Sequence, residues 1–260
     1  MTCTGIFIAG TDTGVGKSHV SSHLLRAASR RGLRVAGLKP VAAGTTFVDG
    51  RWQNDDVEAL VAASHPPLDR ARACPYLLAE PASPHIAAAM AGVVIETPVV
   101  TAAYGALAAE RDWIVVEGSG GWSAPISTRQ TMADIAVALG LPVLLVVGLR
   151  LGCLNHAMLT AAAVRASGLR LAGWIANEID PAMPHKGANI AWLDQALGNL
   201  GVPRWGHLPW AGDGIDPTDS RARTAEESHA ATCEALDMET LLSASRAPQA
   251  LAKPIGIKPK

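Results

Sequence analysis

Between positions 10 and 18 the chain reads GTDTGVGKS and closes on Gly16, Lys17 and Ser18 as the phosphate-binding motif G-x-x-x-x-G-K-[ST] does. Glycines let the backbone curl until successive N–H groups face one phosphate. Lys17 adds a point charge toward the outer phosphates, Ser18 offers a hydroxyl to Mg²⁺, and a helix opening at this point aims its positive end at the anion. Three carboxylates compete to support the cation: Glu117 at the end of an apolar run, Asp56 at a helix start and Asp12 inside the loop itself. A hard cation takes oxygen ligands and keeps some waters, so Ser18 with one or two of these acids is enough. Lys39 stands immediately before Pro40, where a second ammonium can neutralise charge that builds as a phosphoryl group moves. Two lysines aimed at one region favour transfer to a bound substrate over a nucleotide-controlled switch.

The elements around these residues are those of a parallel sheet. An apolar run at 6–9 precedes the loop, a helical pattern covers 18–30, Gly32 stops it, and 34–38 reads as a second strand. That strand, helix and strand unit implies helices packed over parallel strands. Lys39 and the KPVAAG run at 39–44 then lie beyond a strand's C-terminal end, the edge where open α/β sheets collect ligands. Residues 45–53 read as polar and turn-rich, 54–56 open a short helix, and the prolines between 64 and 84 exclude long elements. Helices are expected near 99–109, 132–139, 155–167 and 191–200, and strands at 113–117, 143–147, 171–176 and near 205. The acidic segment carrying Glu226, Glu227, Glu234 and Asp237 reads as an exposed helix face. Residues 1–245 are expected to form a single domain and 246–260 a flexible tail.

Two further loops can bind ligand. Gly118, Ser119, Gly120 and Gly121 follow the strand ending at Glu117 and can expose backbone N–H groups. Gly152, Cys153, Leu154 and Asn155 open a helix whose free N–H groups suit a carboxylate, with Asn155 as a candidate cap. Cys153 has no neighbouring base and is assigned no nucleophilic role, and the histidines lack ligand spacing. The four cysteines at 3, 74, 153 and 233 are too far apart for a zinc site or a disulfide framework. With a net charge of −1 and no long basic run, a nucleic-acid or membrane surface has no support. The longest apolar run, 141–147, is too short to span a bilayer, and a soluble, cytoplasmic protein is expected.

Taken together, GTDTGVGKS at 10–18, KPVAAG at 39–44, the Asp56 segment, EPASPHIAA at 80–88, VEGSGGW at 116–122, LPVLLVVGLRLGCLNHAMLT at 141–160 and GWIANE at 173–178 closely resemble the dethiobiotin synthetase family. The resemblance covers roughly residues 4 to 212. It implies a P-loop α/β fold with a parallel seven-stranded sheet flanked by helices, and a homodimer. It implies conversion of 7,8-diaminononanoate, CO₂ or bicarbonate and MgATP into dethiobiotin, ADP and phosphate, through a carbamate whose oxygen attacks the γ-phosphate. By similarity Thr13, Gly14, Val15, Gly16, Lys17 and Ser18 hold ATP, and Ser18, Asp56 and Glu117 carry or support Mg²⁺. Thr11, Lys17 and Lys39 contact the carbamate and the transferring phosphoryl group, while Asn177 reads adenine together with Pro209, Trp210 and Ala211. The substrate meets the backbone of residues 118–121, and Gly152, Cys153, Leu154 and Asn155 of the partner subunit receive its distal carboxylate.

The chain departs from the family pattern at three places. Gly14 stands where the best-known bacterial members have glutamate, Ala43 where a serine supports the carbamate pocket, and Asn189 where a tyrosine borders the substrate. Two other readings share the loop. A cobyrinate diamide synthase-like enzyme expects a glutamine-hydrolysing domain after the ATPase region, and fewer than about fifty residues follow position 211. A ParA-like or GTPase switch expects nucleotide turnover without any diamine.

Overall fold

Strands built from unbroken Val, Ile and Leu must be covered on both faces, and the six strands of the main sheet are all parallel. The structure, a computed structural model, describes residues 4–210 and 236–246. In chain order its elements are β1 (Thr4–Gly10), α1 (Lys17–Ser29), β2 (Val35–Leu38), β3 (Val41–Ala43), β4 (Thr46–Val48), β5 (Arg51–Gln53), α2 (Asp55–Ala63), α3 (Arg70–Ala73), β6 (Tyr76–Leu78), α4 (Pro84–Met90), α5 (Thr97–Ala108) and β7 (Trp113–Glu117). Then come α6 (Met132–Leu139), β8 (Val143–Leu149), α7 (Cys153–Ala166), β9 (Leu171–Glu178), α8 (Lys186–Gly198), β10 (Arg204–Leu208) and α9 (Met238–Arg246).

The sheet order is β10-β9-β8-β1-β7-β2. Successive side chains of a strand point to opposite faces, and the core divides accordingly. Ile6, Ile8, Trp113, Val115, Leu144 and Val146 pack with Val20 and Leu24 of α1 and Leu241 of α9. Phe7, Ala9, Ile114, Val116, Leu145 and Val147 pack on the other face with Ile135 of α6, Val164 of α7 and Leu193 of α8. Trp113, Trp174 and Trp205 are all buried. Gly173 is required where the Trp205 ring crosses β9, because a Cβ there would stand 2.5 Å from the indole.

The helix and strand periods placed most elements correctly, with instructive differences. The resemblance implied seven strands in one sheet, and the described residues supply six. After Lys39 the chain leaves that sheet, and β3 pairs in parallel with β6 as a separate two-stranded ribbon. Residues 45–53, expected to be a polar turn, form the antiparallel hairpin β4–β5, where Phe47 and Trp52 meet edge to face at 5.2 Å while both stay exposed. Helix α8 begins at Lys186, ahead of the apolar period, and α7 begins at Cys153 behind Gly152 in a left-handed conformation (φ 95°). Asn155 therefore lies inside the first turn of α7 and does not cap it. Glu226, Glu227, Glu234 and Ala211 lie outside the described residues; Asp237 is exposed and accepts the Thr240 N–H at 3.0 Å at the start of α9.

At the N-terminal edge of the sheet Arg34 grips Asp112 through Nε at 3.1 Å, Nη2 at 2.8 Å and its backbone N–H at 2.8 Å. These side-chain and backbone bonds hold the Asp112 carboxyl down at about 2. A depressed carboxyl adds stability in full above the ordinary aspartate value of about 4 and loses it as pH falls toward the folded value. Arg34→Gln should thus be less stable than the parent near neutral pH, with the gap closing between about pH 4 and pH 2. Urea unfolding across that range measures it, and a gap that stays constant with pH would mean the pair does not set the Asp112 ionisation.

Candidate nucleotide and substrate site

Parallel register assembles the centre of the site. Leu38 of β2 lies beside Val116 of β7, so the next residue of each strand, Lys39 and Glu117, come level at the C-terminal edge. Glu117 is fully buried and Lys39 nearly so. The Lys39 ammonium lies 2.6 Å from Glu117 Oε1 and 2.7 Å from Asp56 Oδ2. Asp56 is delivered by α2, whose N-cap is Asn54, not Asp56. Asn54 Oδ1 accepts the Val57 N–H at 3.3 Å, and its Nδ2 donates to the Gly44 carbonyl at 2.7 Å, which ties the helix start to the strand after Lys39.

Ser18 completes the cluster. Its Oγ stands 2.5 Å from Asp56 Oδ1 and 2.7 Å from Glu117 Oε1, and its one proton serves either carboxylate in turn. Burial works against the Lys39 charge, yet the Glu117 and Asp56 carboxylates outweigh it and hold its pKa above the ordinary lysine value. Asp56 is likewise opposed by desolvation but held low by Lys39, Ser18 and Lys17. For Lys17 the balance is reversed. Burial first, and the like charge of Lys39 second, bring it down to about 8 against the pull of Glu117, Asp56 and Asp12. An arriving polyphosphate favours the charged form of both lysines.

The sequence left Asp12 open as a cation ligand, and its contacts give it another occupation. Asp12 Oδ1 accepts the Thr13 N–H at 2.7 Å, its Oδ2 pairs with Arg150, and its carbonyl accepts from Lys17 Nζ at 3.0 Å. Arg150 was not singled out in the sequence. The available signal was a basic residue just beyond the apolar strand β8, level with a loop that holds an acid.

The phosphate loop also departs from the strict motif, since five residues, not four, separate Gly10 from Gly16. Gly14 (φ 70°) and Gly16 (φ 85°) carry its left-handed turns. Asn177 supports the loop from behind, donating through Nδ2 to the Val15 carbonyl at 2.9 Å; a Cβ on Gly16 would lie 2.1 Å from that nitrogen. Val15 is buried, while Thr13, Gly14, Gly16, Lys17 and Ser18 line a cleft of about 800 Å³. Lys39, Asp56, Ser119, Gly120 and Gly121 line the same cleft, and Ala42, Ala43, Pro81 and Ala82 give it an apolar wall.

Other expected residues lie at its margins. The Gly118 N–H donates to the Ile8 carbonyl at 3.0 Å, and the Ser119 hydroxyl donates to the Val41 carbonyl, so that loop is pinned to two strands. Thr11 borders a neighbouring cavity of about 310 Å³, which shares Gly121 and Ala124 with the cleft and continues along His156, Leu159 and Thr160 of α7. Pro209 is exposed and Trp210 half-buried, just past the end of β10 where Leu208 pairs with Asn177. Cys153 is buried, and its N–H donates to the Arg150 carbonyl at 3.0 Å, whereas Gly152 and Asn155 are exposed and Leu154 is half-buried. Asn189 donates to the His185 carbonyl at 2.9 Å on α8.

The donor set fits a magnesium ion bound with nucleotide. Among the described residues no group of three or more His, Cys, Asp and Glu side chains converges, so no all-protein metal cage is built. Two carboxylates and a hydroxyl instead meet at one point, and Glu117 Oε2 is buried there without a hydrogen-bond partner. That is the hard, incomplete oxygen set a cation shares with waters and phosphates.

Breaking a buried pair from one side leaves an uncompensated charge. Lys39→Met should therefore lose about 3–5 kcal/mol of unfolding free energy. Adding Glu117→Gln should recover a large part of that loss, because the isolated carboxylate has been removed. Denaturant titrations of the two single variants and the double variant close the cycle, and additive losses would deny the coupling.

A family model described as an AAA domain matches residues 4–218. The ATP-dependent dethiobiotin synthetase BioD of Xanthomonas axonopodis pv. citri is 48% identical over 204 residues, covering 78% of this chain and 90% of that protein. The protein of the same name from Xylella fastidiosa is 47% identical over 223 residues, covering 86% and 97%. Among solved structures, the MinC:MinD cell division protein complex of Aquifex aeolicus superposes with a TM-score of 0.54 at 15% identity, covering 96% of this chain and 100% of that one. The cell division ATPase MinD of Pyrococcus furiosus gives 0.51 at 18% identity, covering 94% and 99%. At such identities these two show the fold alone.

Proposed function

Because the chain belongs to the family of ATP-dependent dethiobiotin synthetases, ATP-dependent ligases of biotin biosynthesis, we propose that it carboxylates 7,8-diaminononanoate and closes the ureido ring of dethiobiotin. The supporting observation is the buried Lys39, held between Glu117 and Asp56 on the floor of the cleft that Lys17 and Ser18 also line. Such a charge has its greatest effect where negative charge migrates from carbamate to phosphoryl oxygen.

In this reading one substrate amine adds to CO₂ and releases a proton, giving a carbamate. A carbamate oxygen then attacks the γ-phosphorus of ATP, the bond to the β-phosphate oxygen breaks, and ADP departs. The second amine attacks the carbonyl carbon of the resulting mixed anhydride, and phosphate leaves as the ring closes. Bound through Ser18, Asp56 and Glu117, Mg²⁺ supplies charge neutralisation at the phosphates. The chain itself binds and orients. Residues 13–18 cradle the triphosphate, Thr11, Lys17 and Lys39 face the transferring group, and Asn177, Pro209, Trp210 and Ala211 take the adenine. The small apolar wall at Ala42, Ala43, Pro81 and Ala82 suits an alkyl chain and holds water away from the anhydride. No enzyme nucleophile is required; proximity and neutralised charge provide the acceleration. Burial raises both the Cys74 thiol, to about 12, and the Cys153 thiol, in keeping with inert packing roles.

The protein is expected to convert ATP, Mg²⁺, bicarbonate and 7,8-diaminononanoate into a ureido product, one phosphate per ring, detected by mass. ATP loss without that product would sink the assignment.

The distal carboxylate of the substrate needs an anchor well separated from its amines. In the proposed homodimer it comes from Gly152, Cys153, Leu154 and Asn155 of the other subunit, through the positive end of α7. Asn155→Leu should raise the diamine requirement and leave ATP binding nearly intact. Mixed with Lys39→Ala, it should partly restore activity in heterodimers, since one site then combines an intact Lys39 with the other chain's intact Asn155. Verified subunit exchange with no recovery would place both groups in a site within one chain.

A further inference from the structure

Arg150 lies between the two parts of this site, and neither the phosphate-loop motif nor the substrate contacts account for it. Its guanidinium pairs with Asp12 Oδ2, inside the phosphate loop. Through Asp12 it is one bond from the Thr13 N–H and, by the Asp12 carbonyl, one bond from the Lys17 ammonium. On its other side the Arg150 carbonyl accepts the Cys153 N–H at 3.0 Å, which fixes the turn through the exposed Leu151 and the left-handed Gly152 into α7. One residue thus has its side chain on the nucleotide loop and its main chain on the start of the helix assigned above to the substrate carboxylate.

We propose that Arg150 is a positioning residue that couples the two loops, so that nucleotide in one subunit's phosphate loop orders the carboxylate-binding turn that the same subunit presents to its partner's site. This rests on the proposed function for the identity of the second ligand. Two consequences follow from charge and connectivity. An unpaired Asp12 carboxylate would repel the incoming phosphates, so Arg150 also screens the nucleotide from it. Coupling is reciprocal, so whatever orders residues 151–155 must in turn favour nucleotide on the same chain.

Hydrogen exchange read by mass spectrometry, on the full chain with Mg²⁺ and a non-hydrolysable ATP analogue, tests the coupling without any diamine. In the parent protein the analogue is expected to slow exchange both in residues 10–18 and in residues 150–158. In Arg150→Gln, at saturating analogue, the first segment keeps its protection and the second loses it. Asp12→Asn, which breaks the pair from the other side, must lose the same transmission, and Arg150→Lys must retain part of it. Because the pair is part-exposed, with 42% and 46% of the two side chains accessible, analogue affinity should fall only roughly two- to fivefold in Arg150→Gln. It should recover when Asp12→Asn is added. Equal protection of residues 150–158 in parent and Arg150→Gln, or none in the parent, overturns the proposal; so does unchanged analogue affinity. Neither result touches the assay for the ureido product, so the two readings fail separately.

Discussion

The interaction on which the site depends is the contact between Lys39 and Glu117 at the end of two neighbouring parallel strands. A fully buried carboxylate is tolerable only beside a compensating charge, and a buried ammonium likewise. Each residue makes the other possible, and the register of β2 against β7 brings them level. The remainder of the centre is arranged around that pair. Asp56 reaches it from a helix start, Ser18 from the first turn of α1, and Lys17 lies beside it where burial, with the like charge of Lys39 second, lowers its proton affinity. The cluster has two cations and two anions, so it is close to neutral before any polyphosphate and cation enter together.

The phosphate loop shows how little of its conformation belongs to the loop alone. Gly16 must be glycine twice over, for its left-handed backbone and for the Asn177 amide packed against its α-carbon. Asn177 comes from β9, Arg150 from just past the end of β8, and the Val146 carbonyl of β8 accepts the Thr11 N–H at 3.1 Å. The loop is therefore bonded from β9 and from β8 and its C-terminal end. That is the rigidity expected where backbone N–H groups must be aimed before the anion arrives.

Much of this was legible in the residues, and the limits were physical. The strand at 113–117 and the helix at 132–139 match their apolar patterns residue for residue, because both are bounded by sharp changes in polarity. Lys17, Ser18, Lys39, Asp56 and Glu117 were all nominated by type and position, and the fold brings them together. Local patterns missed what depends on pairing at a distance. The hairpin at Thr46–Gln53 has only three residues in each strand and exposes its aromatics, so no buried face left a period to read. Asp12 looked like a third cation ligand because its partner, Arg150, lies more than a hundred positions away. The cap of α7 was assigned to Asn155 by residue type, whereas the left-handed Gly152 starts the helix.

The sheet order has a consequence for the chain as it emerges during synthesis. Strand β7 lies between β1 and β2, and among the described residues β2 has no other partner within the main sheet. The first two strands appear early and cannot pair with one another, so both must wait for residues 113–117 before either gains a neighbour, and β1 waits further for β8. Until then two strands that end up almost wholly buried remain without their ladder hydrogen bonds, which is the condition in which parallel-sheet proteins fold slowly and associate wrongly. What the early chain can assemble from its own described residues is the packing of α1 and α2, the β4–β5 hairpin and the β3–β6 ribbon. Covering β1 and β2 during that interval falls to α1 and α2, so the helix that opens at the phosphate loop serves the nascent chain before it serves the nucleotide.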